Sequence, residues 1–167
     1  FTQKGKCFWL RVYEIPEGSR TSKGRAIQNL INIEQDDKVK AFICTQDLKD
    51  EDYINSRYVV MATKKGQVKK TSLEQYSRPR TNGINAITVR DGDELLEAKL
   101  TTGASQVVLA VKSGKAIRFE ESKTRPMGRN ASGVRANAQR GAKYQRVAPI
   151  RKYLRPNQCC RQRRHPV

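Results

Sequence analysis

Histidine is almost absent, with His165 the one instance, and the four cysteines, Cys7, Cys44, Cys159 and Cys160, include no C-x-x-C pair. Structural zinc modules draw ligands in pairs about two to four residues apart, so this pattern argues against one. A Ser-His-Asp or Cys-His nucleophile would have to recruit His165 from a segment poor in apolar residues, which argues against acyl-transfer chemistry. The adjacent Cys159 and Cys160 read as free thiols of a reducing compartment. No G-x-x-x-x-G-K-[ST] loop is present to cradle a nucleotide. No apolar run approaches the roughly 18 residues of a spanning helix, and no basic amphipathic helix is legible. Acidic side chains are scarce as well: 16 Asp and Glu stand against 34 Lys and Arg.

The resulting charge of +18 and an isoelectric point near 10.2 predict a polyanionic partner, with nucleic acid first and a membrane surface a poor second. Hydrophobic residues make up 37% of the 167 and mean hydropathy is −0.77, so the core is expected to be thin. The chain opens at Phe1 without Met or a signal-peptide pattern, which reads as a fragment of a longer protein.

What organises the sequence is a unit met three times. Its complete copy is Tyr58 to Leu100: an apolar run, a Lys64-Lys65-Gly66 turn, a return strand, a basic loop with Pro79, and apolar sequence again after Asn82-Gly83. A first copy spans residues 1–44 and a third 106–135, with an acidic linker, Asp47 to Asp52, after the first. The spacing from turn glycine to loop-exit glycine is 24 − 5 = 19, 83 − 66 = 17 and 133 − 114 = 19. A repeat of roughly 50 to 60 residues with short strands and glycine turns predicts an all-β, propeller-like array. Turn glycines at these places predict positive φ. Phe8, Trp9 and Tyr13 are expected in the core.

Within the middle copy, seven Lys and Arg lie between Lys64 and Arg90 against Glu74 alone, whereas Asp91 to Glu97 holds four acids, so the unit separates its charge along the chain. The acidic runs 47–52 and 91–97 read as solvated turns rather than Mg²⁺ ligands. Cations recur around the three turns, at Lys4 and Lys6, then Lys64, Lys65, Lys69 and Lys70, then Lys112, Lys115 and Arg118. The loops add Arg20, Lys23 and Arg25, then Arg78 and Arg80, then Arg125, Arg129 and Arg135. Radial stacking would align these as one cationic track, which holds phosphates without reading bases. Aromatics are sparse in the basic loops, which favours a bent duplex over a stacked single strand.

Residues 136–167 carry nine Lys and Arg and no acid, with few aliphatic side chains, and this basic tail is expected to be disordered.

Three long motifs, YEIPEGSRTSKGRAI (13–27), MATKKGQVKKTSLEQYSRPRTNGINAI (61–87) and AIRFEESKTRPMGRNASGVR (116–135), closely resemble the C-terminal domain family of the bacterial DNA gyrase A subunit over residues 1–135. The resemblance implies a partial β-pinwheel of about two and a half blades, non-catalytic by itself. It implies that duplex DNA wraps with positive handedness on a basic rim, supporting negative supercoiling by the whole ATP-dependent topoisomerase. It further implies assembly with the rest of the gyrase A subunit, and with the ATPase-bearing gyrase B subunit, in an A2B2 complex of the bacterial cytoplasm. ATP and Mg²⁺ are then used elsewhere in the complex, with no cofactor in this segment. None of the six tyrosines corresponds to the DNA-cleaving residue, which belongs to the N-terminal part of the family's full-length protein. The family's heptapeptide box is missing; Gln139 to Lys143 is a superficial likeness at the wrong place, and the resemblance stops near Arg135. The topoisomerase IV equivalent, or a basic interaction module acting through the tail, are the alternative readings.

Overall fold

A computed structural model describes residues 1–111 and 114–136, together with the backbone of 144–150. Among these residues nine strands run in the order β1 (Lys6–Cys7), β2 (Tyr58–Thr63), β3 (Gln67–Ser72), β4 (Ile84–Asn85), β5 (Leu95–Thr101), β6 (Gln106–Val111), β7 (Ala116–Glu120), β8 (Val134–Arg135) and β9 (Tyr144–Ile150). The only α-helix among the described residues is one turn, α1 (Glu51–Asn55). It is capped by Asp50, whose carboxylate accepts from the N–H groups of Asp52 and Tyr53. The acidic linker is thus in part a helix start.

The three copies share a register that can be counted from their turn glycines. A single 3₁₀ turn opens seven residues on in each: 5 + 7 = 12 for Val12–Glu14, 66 + 7 = 73 for Leu73–Tyr76, and 114 + 7 = 121 for Glu121–Lys123. All six glycines singled out above have positive φ. Neighbouring copies exchange strands. The segment after the exit glycine of the second copy, β4, pairs with β1 of the first, and the equivalent β8 of the third pairs with β3 of the second. Close approach explains the glycine there: a Cβ at Gly133 would lie 2.6 Å from the Val68 carbonyl oxygen, and one at Gly83 would lie 2.9 Å from that of Cys7.

The second copy forms a four-stranded sheet in the order β5-β2-β3-β8, and the third a sheet in the order β7-β6-β9. Both faces of the middle sheet are covered. Val59 and Met61 of β2 enter a cluster with Cys7, Leu73, Tyr76 and Ile87, while Val60 and Ala62 point the other way into a cluster with Val68, Val107 and Leu109. A strand buried on both faces needs a continuous apolar run, which is why Tyr58 to Ala62 shows no alternation.

Three expectations change. The first copy keeps the register but little of the strand: Lys6–Cys7 is its one strand among the described residues, Thr2 and Val39 form an isolated antiparallel bridge, and Ile27–Asn29 is a 3₁₀ turn. Trp9 packs on the first cluster and donates its indole N–H to the Tyr76 carbonyl at 3.1 Å, but Tyr13 is 75% exposed because the turn at Val12–Glu14 lifts it away from the cluster. The expected disorder of 136–167 fails for Tyr144–Ile150, which pairs antiparallel with β6 from Gln106↔Ile150 to Val111↔Tyr144. The free edge of β6 supplies backbone partners that a chain needs no large core to use, and Pro149 is tolerated because β9 is itself the outer strand. The Gln139–Lys143 segment and residues 151–167 lie outside the described residues.

Candidate nucleic-acid interface

Antiparallel pairing of β2 with β5 undoes the charge separation seen along the chain. It returns the acidic turn to the lysine turn, so the Lys64 ammonium pairs with Glu94, the Lys65 backbone N–H donates to Asp93 at 2.9 Å and the Lys65 ammonium donates to the Asp91 carbonyl. The first copy repeats this construction. Lys4 N–H donates to Asp37, and the Lys4 and Lys6 ammonium groups reach Glu34 at 2.6 and 2.5 Å, with Asp36 also on Lys4. These hydrogen bonds, first from Lys4 and then from Lys6, hold the Glu34 carboxyl down at about 2. Lys4, Lys6, Lys64 and Lys65 are therefore occupied within the fold. The third copy has no such acid to offer from 136–167. Lys115 and Arg118 there are exposed and carry no ion pair among the described residues. Lys112 lies outside them.

Lys69 and Lys70, expected on a DNA-facing rim, are buried instead, at 0% and 5% exposure, because β3 lies between β2 and β8 with both faces covered. The Lys69 ammonium donates to the carbonyls of Ala86, at 2.6 Å, and of Arg129. Burial, and then the Arg129 charge, push its pKa down to about 8. The Lys70 ammonium stands 3.3 Å from Glu121 and 4.2 Å from the Tyr58 ring centroid. Glu121 is itself buried and accepts from the Thr101 hydroxyl at 2.7 Å and the Ser105 N–H at 3.2 Å. Both lysines join the second copy to the third and are removed from any direct contact with a polyanion.

The remaining expected residues are accessible. Arg20, Lys23 and Arg25 lie in a stretch, 11–26, exposed throughout, and Arg78, Arg80, Arg125 and Arg135 are exposed on or beside the loops that cross between copies. Arg129 is half-buried. Arg78, Arg80 and Arg129 line one cleft of about 320 Å³ with Glu74, Gln75 and Ser77. The structure thus brings residues of two copies together there, while the turn lysines are drawn to their own acids.

Gln75 was not legible as a site residue. Its side-chain oxygen accepts from the Arg129 N–H at 3.0 Å, across 54 positions, and no local pattern announces such a pairing. Arg11, exposed and stacked on Tyr13 at 5.7 Å, was also missed; its place two residues before the YEIP motif was the available signal.

A family model for the DNA gyrase C-terminal domain, described as a beta-propeller, matches residues 1–46, 57–102 and 106–141, the last segment running past the expected stop at Arg135. Over 135 residues, 81% of the chain, the sequence is 43% identical to the DNA gyrase A subunit of Salmonella typhimurium and 42% identical to that of Staphylococcus aureus. The chain spans about 15% of the length of these relatives. Among solved structures, the C-terminal domain of DNA topoisomerase IV superposes with a TM-score of 0.78 at 28% identity, over 90% of this chain and 46% of that one. A DNA gyrase A C-terminal domain superposes at 0.71 and 21% identity, over 89% of this chain and 46% of the other, and shows the same fold.

Proposed function

Since the chain belongs to the DNA gyrase C-terminal domain family, we propose that it holds the backbone of a bent DNA duplex and serves as one arc of the DNA-wrapping surface of a bacterial type IIA topoisomerase. The observation that carries this reading is the distribution of cations not neutralised internally. Arg20, Lys23, Arg25, Arg78, Arg80, Lys115, Arg118, Arg125 and Arg135 stay exposed on loops, turns and edges, where a polyanion can reach them. Such contacts orient a duplex without reading sequence. In the whole protein the wrap would present a second segment of the same DNA for ATP-driven strand passage, in an A2B2 assembly with the gyrase B protein and in the cytoplasm. ATP and Mg²⁺ would be used in those other parts. The partition into a wrapping domain at 1–135 and a basic tail at 136–167 is proposed with one amendment, that Tyr144–Ile150 belongs to the third sheet.

The topoisomerase IV equivalent is the second reading, favoured by the TM-score of 0.78, while the identity to gyrase A proteins over 81% of the chain favours the first. Duplex affinity measured against salt tests the shared premise. With roughly six phosphates neutralised, binding is expected to fall about a thousandfold between about 50 and 200 mM salt. A flat response would remove the phosphate-holding surface from consideration.

A further inference from the structure

We propose that the cleft between the second and third copies is a seat for one backbone phosphate of the bound duplex, and that buried Lys69 is a positioning residue for that seat. The proposal rests on the DNA-binding reading above. Three arginines, Arg78, Arg80 and Arg129, share a lining whose one acidic residue is Glu74, and among the described residues no ion pair joins Glu74 to any of them. Guanidinium forks match pairs of phosphate oxygens, and a cleft that is concave and polar favours an anion over an apolar guest.

Arg78 and Arg80 come from the second copy, but Arg129 arrives from the third and must be fixed by something other than its own strand. Its backbone is held at both ends. The N–H donates to Gln75, and the carbonyl accepts from the Lys69 ammonium, which donates also to Ala86. Neighbouring bonds from Met127 N–H to the Lys70 carbonyl and from the Thr88 hydroxyl to the Asn130 carbonyl seat the same loop on the second copy. Lys69 has no exposed surface, so it cannot touch a duplex, yet it stands three residues after its turn glycine, where the first copy has Phe8 packed on Gly83. An apolar side chain serves the first junction. An amine at the second therefore does more than fill space: it sets where the Arg129 backbone lies.

The test uses the full chain and a labelled duplex, with affinity read against salt. R129Q and the pair R78Q/R80Q should each weaken binding roughly tenfold and make the log–log salt slope shallower by about one, the signature of one fewer phosphate neutralised. Lys69→Met should weaken binding as R129Q does, and K69M/R129Q should bind no more weakly than R129Q alone, since Lys69 acts through Arg129. If K69M fails to fold, Gln75→Ala, which frees the Arg129 N–H and leaves the buried amine in place, carries the same expectation. Wild-type affinity and slope in the arginine variants would overturn the seat. Losses from K69M or Q75A that add to that of R129Q would overturn the positioning role. A wild-type chain without salt-dependent binding would instead sink the DNA-binding reading itself.

Discussion

At Gly133 the φ of +88° and a Cβ clash of 2.6 Å with a backbone oxygen act together, whereas at Gly114 the φ is +81° with nothing within 4 Å, and at Gly128 neither constraint is present. Replacing each by alanine should therefore grade cleanly. Gly128→Ala should be neutral, Gly114→Ala should cost about 1–2 kcal/mol for the left-handed backbone alone, and Gly133→Ala should cost more than either because the exchanged strand must also move. Denaturant unfolding followed by Trp9 fluorescence would rank them. Lys69 gives a second residue-scale prediction. Its pKa of about 8 lies below its ordinary 10.5, so the unfolded chain binds the extra proton between those values and the Lys69 contribution to stability rises with pH across that window. Burial raises the Cys7 thiol from 9.0 to about 12, which works the other way above pH 9. The stability difference between wild type and Lys69→Met isolates the first effect: it should shift in favour of wild type from about pH 8 to 10.5, and a pH-independent difference would count against the buried ammonium. Residue type alone misled at this scale. A Lys-Lys pair after a glycine turn reads as solvated, and nothing local reveals that β3 is covered on both faces.

Among the elements, β9 holds in the third sheet the place that β5 holds in the second, each the outer antiparallel partner of the first strand of its hairpin. Truncation after 150 should leave that sheet intact, whereas truncation after 135 should strip the edge of β6 and invite association through it. Hydrogen exchange at Gln106–Val111 and sedimentation would separate the two; equal protection in both truncations would contradict the pairing. The hairpins, their glycines and the repeat period were legible because each depends on residues a few positions apart. The strand exchange at β4 and β8 was not, since two-residue strands carry no period. Nor was β9, where composition pointed to disorder and a waiting sheet edge overrode it.

For the whole molecule, the sequence predicts a polyanionic partner through its net charge of +18, and family membership agrees with an all-β array of repeats. It did not announce how that charge is spent in the fold. Turn lysines in the first two copies are drawn back to acids some thirty residues away, as Lys64 is to Glu94, so the cations left over lie on the loops, at the junctions and on the third copy. A surface built this way should bend DNA rather than merely attract it, and bend it in the positive sense. Nicked circular DNA ligated in the presence of increasing protein, then stripped and resolved on a gel, reports that sense as a change in linking number. Positive shifts that grow with protein concentration are predicted; an unchanged or negative distribution at saturating binding would rule out a positive wrap.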